Sequence, residues 1–205
     1  MSKIKLTKGE LKRQRDSLEQ FLHYLPTLQL KKQQLQMKIV EARKLREEKK
    51  VALDRKVEEI SRWTALLAET NADLKAWIVP ESISLETMNI AGANIPIFKD
   101  IRFPQAEYDL YTTPLWVDRA IEELRLMVAL FSEIAIVEKR IEVLQKELRI
   151  TTQRVNLFEK IKIPECLENI RAIRIYLGDQ QANAVGVSKV AKKKIMEYET
   201  EMVSA

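Results

Sequence analysis

Every seventh residue from Leu11 to Leu74 falls in one frame: Leu11, Leu18, Leu25, Lys32, Ile39, Arg46, Leu53, Ile60, Leu67, Leu74. Eight of these ten positions are apolar. A second seam runs Leu130, Ile134, Val137, Ile141, Leu144, Leu148, Thr151, Val155 and Phe158, with steps alternating four and three. Such spacing holds one narrow apolar stripe on a helix, and the stripe stays wet until another helix covers it. The pattern predicts two long helices, paired with each other or with other chains, and a function that depends on length and stiffness.

The first helix is expected over 7–78 and should stop before Pro80, because the residue preceding a proline is pushed out of helical geometry. Its second half should turn Leu53, Val57, Ile60, Thr64, Leu67, Leu74 and Ile78 towards the seam. Between Arg43 and Lys50 the rhythm weakens. Arg46 and Lys49 fall on seam positions there, and a looser, solvated stretch is the plain reading. Residues 79–114 differ in kind, with Pro80, Pro96, Pro104, Pro114, Gly92 and short apolar runs from Ile83 to Ile90 and from Ile95 to Phe103. These predict two strands around Ala91-Gly92-Ala93-Asn94, a small β-hairpin or irregular cap. The second helix is expected over 115–205, with Pro114 near its first turn. Pro164 removes a helical hydrogen bond and clashes with the carbonyl of Lys160, so a kink is expected near 160–164. Beyond it Cys166, Ile170, Ile173, Leu177, Ala184, Val187 and Ala191 resume the seam.

The expected fold class is therefore all-α. It is a long antiparallel two-helix coiled-coil hairpin with a short irregular or β-hairpin cap mid-chain, forming a single elongated domain over 1–205. An arm of about seventy residues would be on the order of 100 Å long. If the chain turns back midway, residues whose numbers sum to about 193 lie level. That rule sets Pro26 beside Pro164, Trp77 beside Trp116, and Cys166 near His23. It also brings both chain ends to one tip and leaves Lys193 to Ala205 overhanging.

Composition narrows the function classes. Four glycines and six prolines in 205 residues, with 32% charged and 46% apolar, fit long helices better than a turn-rich globule. The lone Cys166 excludes an internal disulfide and fits a reducing compartment. No apolar run approaches the roughly 18–20 residues of a membrane helix. The basic N-terminus lacks the apolar core of a signal peptide. A soluble cytoplasmic protein without direct membrane insertion is expected. No glycine-rich phosphate cradle is present, so neither ATP binding nor any other cofactor is expected. One His and one Cys cannot build a zinc cluster, and a Cys166/His23 nucleophile pair would lack an orienting third group. The chain is expected to be no enzyme.

What remains is charge. The formal net charge is +5. Lys3, Lys5, Lys8, Lys12, Arg13 and Arg15 cluster at one end, and Lys189, Lys192, Lys193 and Lys194 at the other. A shared basic tip would suit an acidic protein surface. Nucleic acid is the rival partner, though no aromatics interleave the basic residues and no recognised module is present. A coiled-coil adaptor and a homodimer pairing its seams between chains are the other readings.

The run Thr152-Gln153-Arg154-Val155-Asn156, followed by Glu159 and Ile163-Pro164, resembles the signature of the D subunits of V-type (archaeal/vacuolar-type) ATPases. Leu157-Phe158 departs from the small residue and leucine usual there. The resemblance implies a non-catalytic central-stalk rotor that carries torque between a catalytic ring and an ion-translocating membrane rotor. It implies as partners the A and B subunits of the ring, the small F subunit of the stalk and the funnel subunit above the membrane rotor. It also implies a cytoplasmic place peripheral to the membrane. Met1 to about Leu28, with Leu167 to Ala205, would lie inside the ring, and Val79 to Pro114 would face the membrane.

Overall fold

The computed structural model describes residues 4–63, 65, 74–108, 111 and 113–203, with side chains described as far as residue 197. Helix α1 runs Lys8–Ser61, a short α2 Leu74–Ile78, β1 Ser82–Ile90, β2 Ala93–Arg102, α3 Trp116–Leu157 and α4 Ile163–Val203. A π-helical turn, Phe158–Lys162, joins α3 to α4 without a break. This is the expected helical hairpin with a β-hairpin inserted mid-chain.

The ends of α1 are set locally. Thr7 caps the start: its Oγ1 accepts the backbone N–H of Glu10 at 3.3 Å, and its carbonyl accepts that of Leu11. A Thr–x–x–Glu sequence is the common pattern for such a start. At the other end the backbone N–H of Trp63 turns onto the carbonyl of Ile60. The first helix thus closes at Ser61, short of the expected 78, and Leu74–Ile78 forms a separate short helix. Thr64 and Leu67, two expected seam positions, lie outside the described residues.

By their contacts the described residues form two compact units rather than one: residues 30–152, and residues 1–29 with 153–205. In the first, α1 and α3 run antiparallel. Ala42 packs with Val137 and Ile141, Lys49 pairs with Glu133, and Lys56 pairs with Glu123 at 3.0 Å. These partners fall some three helical turns earlier in the second helix than the sum of 193 places them. The earlier end of α1 moves the turning point, and with it the whole register. Lys56 takes the seam place expected of Val57, which is 49% exposed. Trp77 accordingly stacks on Tyr108 at 5.3 Å, and no Trp77–Trp116 ring pair occurs among the described residues.

The two strands match the expected runs closely. Ala91 and Gly92 form the two-residue turn between Ile90 and Ala93, both with positive φ (50° and 81°). That is the primed turn whose twist suits a hairpin. Asn89 supports it by accepting the Gly92 N–H at 3.0 Å and donating to Asn94 Oδ1 at 2.7 Å. Register shifts between Ser84 and Leu85, where Lys99 is the extra residue of a bulge on β2. The hairpin lies alongside the helices. Ile95, Leu35 and Leu144 are each wholly buried and form one core with Ile39 and Ala93. Burying each large aliphatic contributes about 1.5–3 kcal/mol. Arg125 of α3 ties the connecting segments down. Its Nε donates to the Trp77 carbonyl at 3.0 Å and an Nη to that of Pro104 at 2.6 Å, with Phe103 under the guanidinium.

In the second unit Phe21 meets Phe158 at 4.9 Å between ring centroids, and Asn169 reaches Gln14 at 3.5 Å. Pro164 therefore stands beside the stretch from Ser17 to Phe21, about two turns from the level of Pro26. The prolines are not level. The π-turn explains how Pro164 is accommodated. The Ile163 N–H reaches back five residues to the Phe158 carbonyl, so the turn holds one residue more than an α-turn. The seam records that extra residue. Inward positions step four and three through Thr151, Val155 and Phe158, then resume at Cys166, Ile170 and Ile173, one residue later than the rhythm requires. Beyond Leu177 every described side chain is exposed, including Ala184, Val187 and Ala191. The uncovered helix thus begins at Gly178, earlier than Lys193.

Candidate functional site

The terminal unit carries the whole formal net charge. Residues 1–29 and 153–205 hold 15 of the 35 basic and 10 of the 30 acidic residues, leaving 20 of each in 30–152. Lys5, Lys8, Lys12, Arg13 and Arg15 are exposed, as are Lys189, Lys192, Lys193 and Lys194; Lys3 lies outside the described residues. The two clusters do not share one tip. Gln14 is held against Asn169, while Lys189 lies twenty residues further along α4, about 30 Å by helical rise. Lys5 folds back to line a polar groove with Lys162, Glu165 and Asn169. The basic residues of α1 thus flank the end of the covered seam, and the lysines of α4 stand on the uncovered helix. Their local pairs, Arg13 with Glu10 at 3.9 Å and Lys193 with Glu197 at 3.6 Å, have exposed basic partners and hold little in place.

The Thr152–Asn156 run occupies the last turns of α3. Val155 is buried in the seam, while Gln153, Arg154 and Asn156 face outward. Pro164 is exposed on the first turn of α4.

No described side chains assemble a reaction centre. Cys166 is 5% exposed, beside Gln14, Ser17 and Phe21 rather than His23, which is exposed and lies edge-on to Tyr24. Burial pushes the Cys166 thiol up, with the Glu165 carboxylate adding to it and Lys162 opposing it. No group of three metal-ligating side chains occurs among the described residues. No described helix is long and apolar enough to cross a membrane.

A second basic feature was not singled out in the sequence. Arg171 and Arg174 of α4 face Arg15 of α1 across an apolar groove of about 550 Å³ floored by Leu18, Leu22 and Leu167. Its signal in the sequence is faint: two arginines three apart, each beside a seam position, Ile170 and Ile173.

Comparison with known proteins bears on these surfaces. Residues 10–193 match the family model described as the D subunit of ATP synthase. The chain is 46% identical to the D subunit of the V-type ATP synthase of Borreliella burgdorferi over 196 residues, covering 96% of each chain. It is 35% identical to the protein of the same name from Chlamydia abortus, covering 98% of this chain and 97% of the relative. That from Chlamydia muridarum is 33% identical, over 96% and 98%. With a seam, a mid-chain β-hairpin and a surface run all in place, the match to that model over nearly its whole length means that this chain belongs to the family of ATP synthase D subunits.

Proposed function

We propose that this chain is the central-stalk shaft of a V-type ATPase/ATP synthase, transmitting torque between a catalytic ring and an ion-translocating membrane rotor. The observation that carries the reading is the α4 helix. From Gly178 onward every described side chain is exposed, and the helix presents Val185, Val187, Val190 and Ile195 at 55–70% exposure. These side chains leave the helix in several directions and are wet in isolation, so they call for a surface that surrounds them. Residues up to about Leu28, with those from Leu167 on, enter the ring of A and B subunits. Residues 79–114 face the small F subunit of the stalk and the funnel subunit. The chain is non-catalytic, cytoplasmic and peripheral to the membrane, and takes no nucleic acid.

The seam fits the task. Torque along a helix pair is resisted by interdigitated side chains, so an apolar seam within each unit resists unzipping better than surface ion pairs. Neutralising Lys192, Lys193 and Lys194 together should weaken assembly with a ring of A and B subunits and slow its hydrolysis, since exposed interfacial charges act mainly on encounter and specificity. Unchanged assembly and rate would remove the lysines from the reading. A wild-type chain that never joins such a ring would remove the reading itself.

A further inference from the structure

We propose that Arg125 is a positioning residue for coupling: it clamps the mid-chain segment to α3, so that turning the shaft turns that segment instead of twisting it. This rests on the shaft reading and goes beyond it by naming the side chain on which coupling depends. Arg125 lies in α3, within the unit of residues 30–152. Its guanidinium holds both stems of the inserted hairpin at once, the Trp77 carbonyl before β1 at 3.0 Å and the Pro104 carbonyl after β2 at 2.6 Å. The Phe103 ring centre lies 5.4 Å from its central carbon. Between these points the stems close on each other, the Glu81 N–H donating to the Arg102 carbonyl at 2.9 Å. Trp77 also stacks on Tyr108, whose hydroxyl is hydrogen-bonded to Asp118 in the first turn of α3.

Each stem has a physical need for the clamp. Helix α2 has five residues, too few to stand alone as a helix in water, and its last carbonyls lack the N–H groups of a following turn. The Val79 N–H takes the Lys75 carbonyl, and Arg125 takes that of Trp77. Beyond β2, residues 103–108 form neither helix nor strand, so no backbone ladder stiffens them. Chain of that kind yields when one end is turned, unless a cross-tie holds it to something rigid. A guanidinium can tie two carbonyls lying in different directions, because its donors spread over a fixed plane, whereas an ammonium is one compact point. The position therefore needs arginine and not merely a cation. Hydrogen bonds from a charged donor are the stronger kind, and losing this donor would release both carbonyls at a half-buried place.

The test reconstitutes the complete ATPase into vesicles with this chain as its shaft. It reads ATP hydrolysis beside the membrane potential that hydrolysis builds, with a voltage-sensitive dye that reports any translocated cation. Arg125→Met is expected to hydrolyse ATP near the wild-type rate and to lose most of the potential built per ATP. Arg125→Lys keeps the charge but can tie only one stem, and should fall between. Arg119→Met, an exposed position on the same helix, should match the wild type. Circular dichroism, melting and the amount of chain recovered in the complex check folding and assembly. A merely structural role would lower those and leave the potential per ATP unchanged in whatever assembles, which would overturn the clamp and leave the shaft reading intact. Should Arg125→Met fail to assemble, Arg125→Lys decides, and full coupling by the lysine variant overturns the proposal. Equal uncoupling by Arg119→Met would assign the effect to surface charge and overturn it too. A wild-type chain that joins no such complex would overturn both readings.

Discussion

Lys56 of α1 reaches across the seam to the carboxylate of Glu123 on α3 at 3.0 Å, and holds Glu59 of its own helix at 2.9 Å. Seven residues earlier Lys49 does the same with Glu133. Lys49, an expected interruption of the apolar rhythm, thus makes a cross-helix ion pair at a half-buried position, whereas Arg46 lies half-buried beside Glu47 of its own helix at 3.7 Å. Opposite charges in a seam fix which residues stand level, because sliding one helix by a turn would separate both pairs at once.

Replacing Lys49 with Met leaves Glu133 half-buried without its partner, and Glu133→Leu does the reverse. Each should lower stability, while the double variant should be at least as stable as the wild type, since an apolar pair of similar volume avoids desolvating charge. A double-mutant cycle by urea unfolding should give a coupling of about 0.5–1 kcal/mol, the range of partly exposed pairs. A cycle that closes with no coupling would assign the register to packing alone.

Stability should fall at both ends of the pH range, for separate reasons. Glu59 is held below its ordinary 4.5 by its hydrogen bond from Lys56, so its contribution is present above that value and lost as the pH drops through the lowered one. Lys56 is raised above 10.5 by Glu59 and Glu123, and Tyr108 above 10.0 by its hydrogen bond to Asp118. Their contributions are full below those ordinary values and vanish as the pH rises through the raised ones. Melting temperatures across the range should show Glu59→Gln flattening the acid limb and Tyr108→Phe the alkaline limb. Curves that stay parallel to the wild type would refute the assignment.

Deleting Lys160 together with Pro164→Ala should give a straight α-helix without moving a single inward side chain. The extra residue of the π-turn and the one-residue skip in the seam cancel. Deleting Glu147, within the regular part of α3, should rotate everything beyond it by about 100° and lower the melting temperature sharply. Equal damage from the two deletions would mean that the π-turn is not the compensating residue.

Ile95→Ala should cost about 2–5 kcal/mol, the range for emptying a fully buried aliphatic site. The loss should be local. Hydrogen exchange should quicken through 82–102 while the α1–α3 seam near Ala42 and Ile141 keeps its protection. Loss of protection at both places would show that the hairpin and the helix pair melt together.

The helices and the hairpin were legible because each is set by short-range signals: the four-three rhythm, the prolines, and Ala91-Gly92 between two apolar runs. The level of one helix against the other was not. It depends on where α1 stops, and the apolar frame runs on through Leu67 to Leu74 after the helix has closed at Ser61. One early end shifted Pro26 from Pro164, Trp77 from Trp116, and the α4 lysines from those of α1. The basic clusters themselves were visible from charge alone. Arg171 and Arg174 were not, because only the folded unit sets them around an apolar floor with Arg15.

A sheet of two strands has no interior, so β1 and β2 each leave one edge bare to any passing chain. Pro96 stands opposite Thr87, four residues past the turn, where alternation points its nitrogen away from β1. It therefore offers the outer edge no donor. Three positions on, the bulge at Lys99 bends that edge and sets a charge on it. The hairpin thus refuses a third strand along β2, which keeps neighbouring copies from joining through that edge.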